Sequence, residues 1–219
     1  MYDNADSSMT LVYVNNGGTE EVGAIGRMRL AEAGGQGGVV LPEPLDRLPR
    51  RLLRDDEQAG VWWLGAHGGA GETTLEELFS GSRAADHSWP LTDADRPPAR
   101  VVLVARTHAQ GLRAAQSAIR EWAAGDVQVL LLGLVLIADA PGRLPHSLRQ
   151  LADLIAGGVP AVWSLPWIEA WRVGEPPAPH NAPKVVRRLL EDLRAMTEAE
   201  SLGENGRPVM SHTNVNRED

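Results

Sequence analysis

From about residue 61 to residue 174, short unbroken apolar runs alternate with stretches whose apolar residues recur every three or four positions. The first run, Val61-Trp62-Trp63-Leu64, leads through a glycine-rich turn into Leu75-Glu76-Glu77-Leu78-Phe79, which reads as the start of a helix. Val101 to Ala105 is a second run. Thr107 is placed to cap the helix that follows, where Leu112, Ala115, Ile119 and Trp122 recur at helical spacing until Gly125 stops it. Leu130 to Ile137 is a third. Pro145 then opens a helix with Leu148, Leu151, Ala152 and Ile155 on one face, ended by Gly157-Gly158, and Val159 to Leu165 makes a fourth strand. Continuous, β-branched runs of this length suit strands buried on both faces. Strands alternating with helices imply βαβ units, hence an α/β fold: a parallel sheet of four or more strands, at 61–65, 101–105, 129–138 and 159–165, sandwiched by helices.

The flanks read differently. Residues 1–57 hold Gly17-Gly18, Gly34-Gly35, Gly37-Gly38, Pro42, Pro44 and Pro49, a density that resists packing and predicts a largely disordered tail. Within it, Met9 to Val14 suits one short strand, and Leu45, Leu48, Leu52 and Leu53 suit a turn of helix. Residues 58–174 form the α/β domain. Residues 175–199 combine a proline-rich linker, Glu175 to Pro179, with an amphipathic helix over about 183–198. Its Val185, Val186, Leu189, Leu190, Leu193 and Met196 share one stripe, predicted to dock on the domain. Residues 200–219 are polar and predicted disordered.

Composition narrows the function classes. A formal charge of −8 over 219 residues argues against direct nucleic-acid binding. The chain has no cysteine, which removes disulfides and thiolate sites, and its six histidines never fall at metal-ligand spacing. No apolar run is long enough to span a bilayer, and the N-terminus lacks a signal-peptide pattern, so a cytoplasmic location is expected.

The turn after the first strand is the chemically pointed feature. Gly65-Ala66-His67-Gly68-Gly69-Ala70-Gly71-Glu72-Thr73-Thr74 has the spacing and the strand–turn–helix context of a phosphate-binding loop. Backbone N–H groups of such a loop cradle phosphate, and a lysine before the paired hydroxyl residues reaches the β/γ-phosphates. Here that place holds Glu72, and the only lysine is the distant Lys184. Two unit charges about 4 Å apart interact by roughly 4 kcal/mol at an effective dielectric of about 20. Exchanging an attractive for a repulsive charge outweighs the helix dipole, worth about 0.3–1 kcal/mol. Tight ATP binding is disfavoured.

The segment His67 to Thr74 resembles the deviant phosphate-binding loop of the ParA/MinD partition and septum-site ATPases, whose pattern is Lys-Gly-Gly-x-Gly-Lys-Thr-Thr. The likeness continues through Val101 to Arg106, through Leu131 to Ile137, and through Gly158 to Trp167, covering roughly 61–174. It also extends to a small group of bacterial proteins with this degenerate loop, associated with mobile or conjugative elements. The resemblance implies a P-loop NTPase-like sheet. Gly68, Gly69, Ala70 and Gly71 would form the cradle with Glu72, Thr73 and Thr74, Thr73 would be the magnesium ligand, and Pro166 would mark the turn beside the base. His67 stands where the family has the lysine that reaches a dimer partner's phosphates. The long family segment bearing a catalytic aspartate is reduced here to Gly81–Arg100. A degenerate, pseudo-ATPase form is therefore expected, with hydrolysis lost or very weak. No cofactor is expected, or ATP and magnesium should the loop be functional. The expected partner is another protein or a second copy of the chain. The alternative is a working nucleotide switch with substituted lysines.

Other candidates have two readings each. Asp139, in Asp139-Ala140-Pro141-Gly142, is either a metal-and-phosphate switch aspartate or part of a turn. Arg106 and Arg143 lie just past strand ends, where open α/β sheets bind ligands, and either could replace the lost lysine or pair with Glu72. Glu72 itself either fills the anion cradle, pairs with one of these arginines, or is solvated. Trp163, Trp167 and Trp171 suit base stacking, a partner patch or core packing. Asp86-His87-Ser88 has the residue types of a hydrolase triad, but adjacent residues cannot form one, and no nucleophile elbow is present.

Overall fold

The computed structural model describes residues 42–43, 46–178, 180 and 182–204, with side chains as far as 198. In chain order the elements are β1 (Arg50–Leu52), β2 (Val61–Gly65), α1 (Glu72–Leu78), β3 (Ser82–Ala84), β4 (Trp89–Leu91), β5 (Arg100–Arg106), α2 (Ala109–Ala123), β6 (Leu130–Ile137), α3 (His146–Ala156), β7 (Val162–Leu165), α4 (Glu169–Arg172) and α5 (Lys184–Glu204). Five strands form one sheet in the order β3-β2-β5-β6-β7, and every pairing is parallel. The α/β fold with a parallel sheet flanked by helices is thus as the hydrophobic pattern predicts. The fourth strand begins later than expected, at Val162 instead of Val159, and the Ala161 carbonyl just before it accepts from Leu134 N–H.

Alternation along the strands separates two cores. Trp62, Leu64, Val101, Leu103 and Ala105 face α2 and α3, meeting Leu112, Ala115, Ile119 and Ile155. Their neighbours Val61, Trp63, Val102 and Val104 face the other way, onto Leu75 and Leu78 of α1 and Val186, Leu189, Leu190 and Leu193 of α5. The C-terminal helix therefore docks on the sheet, as its stripe predicts, and continues to Glu204 instead of ending near residue 198. Register slips between Val101 and Val102, which pair with Leu131 and Gly133, so Leu132 is the extra residue of a bulge. Among the described residues no helix is long and apolar enough to cross a membrane.

Two expectations about the N-terminal flank are corrected. The tail does not extend to residue 57: β1 pairs in parallel with β4, forming a two-stranded sheet, and Leu53 is buried. Residues 50–52 form a strand and not a helical turn, because the flanking Pro49 O and Leu53 N–H are held by Trp89 N–H and Leu91 O. The segment is fixed to α2 by Glu121. This fully buried carboxylate accepts from Leu48 N–H at 3.1 Å and from Trp89 Nε1–H at 3.3 Å. Arg47 and Arg50 both pair with Asp126, just beyond the same helix. The proposed strand at Met9–Val14, Leu45, and the segment 205–219 lie outside the described residues. The short segment 81–100 carries β3, which extends the main sheet, and β4; Ser82 is fixed by Trp63 Nε1–H at 2.8 Å and donates to Phe79 O at 2.6 Å.

Candidate functional site

Strands β2, β5, β6 and β7 run the same way, so the loops at their C-terminal ends gather on one edge of the sheet, the usual binding edge of such folds. The glycine-rich loop leaves β2 there. Gly71, the N-cap of α1, has φ 110°, and a Cβ on it would lie 2.9 Å from Ile137 Cδ1. Both the left-handed backbone and the contact with β6 restrict this position to glycine.

Glu72 takes none of the arrangements expected of it. It is buried, at 5% exposure, and its Oε2 accepts from the N–H of Gly65 at 2.6 Å, while Oε1 lies 3.1 Å from Nδ1 of His87. The carboxylate thus folds back under its own loop to the end of β2 and pairs with neither Arg106 nor Arg143; Arg143 is exposed. Burial pushes the Glu72 carboxyl above its ordinary range, opposed by the Gly65 hydrogen bond and the His87 charge. Asp86 and His87 have φ of 52° and 54°, left-handed values that non-glycine residues adopt at a cost. That backbone aims His87 at Glu72. His87 belongs to the set dismissed as a triad; it instead pairs with a carboxylate fifteen positions upstream in the chain, a contact with no signal in local spacing.

His67 is held through both ring nitrogens. Nε2 accepts from Arg106 N–H at 3.0 Å, which leaves Nδ1 to donate to Gly68 O at 2.9 Å. Burial lowers its pKa, and the charges of His108, His87 and Arg106 act the same way against the Gly68 hydrogen bond; an Nε2 that accepts from Arg106 N–H carries no proton, so this arrangement holds the ring neutral. Its ring centroid lies 4.9 Å from that of His108. His108, and not Thr107, is the N-cap of α2, its Nδ1 accepting from Gly111 N–H at 2.9 Å. Thr107 remains in register with the sheet through Ile137 O, so the cap moves one residue on; its hydroxyl accepts from Asp139 N–H instead. A Cβ on Gly111 would sit 2.4 Å from Arg106 O and 2.8 Å from His67 Nε2. Gly111→Ala is expected to force α2 off β5 and cost about 1–3 kcal/mol, measured by urea unfolding.

A cavity of about 360 Å³ opens at this edge. Of the residues proposed from sequence, Gly68, Gly69, Arg106 and Asp139 line it. Ala70 is buried in the core, Thr73 is exposed and Thr74 half-buried on α1, and Pro166 is exposed; none of these reaches the cavity. Arg106 donates from Nε to Gly69 O at 3.4 Å and from Nη1 to Ala138 O at 3.2 Å, so it stands against the glycine-rich loop. Asp139 lies two residues past β6, which is separated from β2 by β5. Trp167 and Trp171 line the cavity, whereas Trp163 is core, its Nε1 donating to Asp192 of α5 at 3.0 Å. Ile168 and Arg172, beside these tryptophans, complete a wall that sequence spacing did not single out.

Fold and site together define an α/β protein with a ligand-sized hollow at the C-terminal edge of a parallel sheet, beside a glycine-rich loop. Residues 59–190 match the Family of unknown function (DUF6668), and the chain belongs to that family. No curated protein and no solved structure matches it.

Proposed function

We propose that this chain is a degenerate P-loop protein of ParA/MinD-like descent, with ATP hydrolysis lost or very weak. It acts as a cytoplasmic protein-interaction or regulatory module, and the resemblance points to partition or conjugation of mobile elements as its process. Its partner is another protein or a second copy of the chain. The observation that carries this reading is the Glu72 carboxylate, which occupies the P-loop lysine position and is hydrogen-bonded to Gly65 and His87. ATP with magnesium fits these residues poorly. A buried anion stands where the β/γ-phosphates need a cation, and the exposed Thr73 hydroxyl has no acidic residue of β5, the strand next to β2, to share a metal with.

Arg106 favours a second reading, a nucleotide-binding switch with substituted lysines, because its guanidinium touches the loop at Gly69. A steady-state ATPase assay, with and without magnesium, separates the two. No turnover above background is expected. Magnesium-dependent turnover abolished by Thr73→Ala would establish the switch.

A further inference from the structure

Arg106 is half-buried, yet among the described residues no carboxylate lies within ion-pair distance of it. Two of its nitrogens are committed to Gly69 and Ala138 carbonyls; Nη2 is not, and lies 4.0 Å from where a Cβ of Gly71 would be. Burial disfavours its charge, Asp139 partly offsets this, and Arg172 adds like-charge repulsion. Two guanidinium groups and one carboxylate thus share the cavity, with His67 held neutral by its hydrogen bonds. The complement of that balance is a single negative charge, against the several carried by a triphosphate. Beside the charges the half-buried Trp167 and Trp171 also line the cavity, residues against which a flat ring can pack. At about 360 Å³ the space lies near the lower end of ligand pockets, which run to roughly 1,000 Å³, so one or two rings fit.

We propose that this cavity binds a small planar aromatic monocarboxylate, its carboxylate between Arg106 and Arg172 and its ring against Trp167 and Trp171. Arginine suits this role because its fork donates two parallel hydrogen bonds to a carboxylate. The proposal stands apart from the question of hydrolysis.

Calorimetric titration of the full chain tests it, using 2-naphthoate, 2-naphthamide, acetate and magnesium-ATP as probes. Naphthoate is expected to bind saturably at one site. The amide, which lacks the charge, and acetate, which lacks the ring, should each bind at least about tenfold more weakly, a step of roughly 1.4 kcal/mol. Arg172→Ala should weaken naphthoate by a similar factor without altering the fold, since Arg172 is exposed and supports no loop. Arg106→Lys keeps the charge, loses the fork and should weaken it as well. The proposal is overturned by equal affinity for naphthamide, by unchanged affinity in Arg172→Ala, or by no naphthoate binding at millimolar concentration. Displacement of naphthoate by tighter-binding magnesium-ATP would overturn it too, giving the cavity to a nucleotide.

Discussion

Replacement of Glu121 by alanine is expected to destabilise the protein by at least about 2 kcal/mol, a fall in Tm of roughly 4–8 °C for a domain of this size. The carboxylate is fully buried and is the acceptor for both Leu48 N–H and Trp89 Nε1–H. Removing it orphans two donors, each costing about 1–3 kcal/mol when buried, and frees the segment that carries β1. Glu121→Gln is milder, since its amide oxygen still accepts one of the two. Its effect depends on pH in a direction that can be worked out. Burial raises the Glu121 carboxyl above its ordinary range, against the two hydrogen bonds and the charges of Arg50 and Arg47. A carboxyl whose folded pKa is raised contributes stability below its unfolded pKa and loses it as pH climbs through the folded one. Glutamine does not titrate. The Tm of Glu121→Gln relative to the parent should therefore rise from pH 4 upward, through the raised pKa. A flat difference across that range would show that Glu121 titrates normally.

Glu121 also shows where sequence reading stops. The main strands were legible because each is a short apolar run, and burial on both faces of a sheet demands that composition at Val101 to Ala105 and Leu130 to Ile137. The stripe on α5 was legible for the same reason. β1 and β4 were not, because Arg50-Arg51-Leu52 and Trp89-Pro90-Leu91 are three-residue pieces whose pairing is long-range. Glu121 lies within an otherwise ordinary amphipathic helix; nothing local says that its carboxylate points inward to Trp89. At the site, the glycine-rich loop and Arg106 stood out by motif and by position past a strand end. The His67–Arg106 and Glu72–His87 contacts did not, since each joins residues far apart in the chain that the fold brings to one edge of the sheet.

Glu72→Ala should cost about 2–4 kcal/mol, read by chemical unfolding, because it removes a charge-assisted hydrogen bond to a buried backbone N–H and the partner of His87. His87 then keeps only its 3.3 Å contact with Gly65 O to hold its left-handed backbone. Glu72→Gln should retain much of this stability: its carbonyl still accepts from Gly65, and its amide can donate to His87 in the other tautomer. A solvated Glu72 would predict no loss from either variant. Glu72→Lys separates charge from shape. Lysine cannot accept from Gly65 N–H, so this variant should also lose stability. In exchange it puts a cation at the start of α1, beside a loop in which Gly69 and Gly71 take positive φ values of 73° and 110°. ATP affinity is therefore expected to rise by at least about tenfold, measured by equilibrium binding on folded protein below its unfolding temperature. If the folded variant gains no affinity, the backbone of 67–71 is not shaped for phosphate. The proposed descent from partition ATPases would then lose its support, leaving Glu72 a structural tether between α1, β2 and the His87 turn.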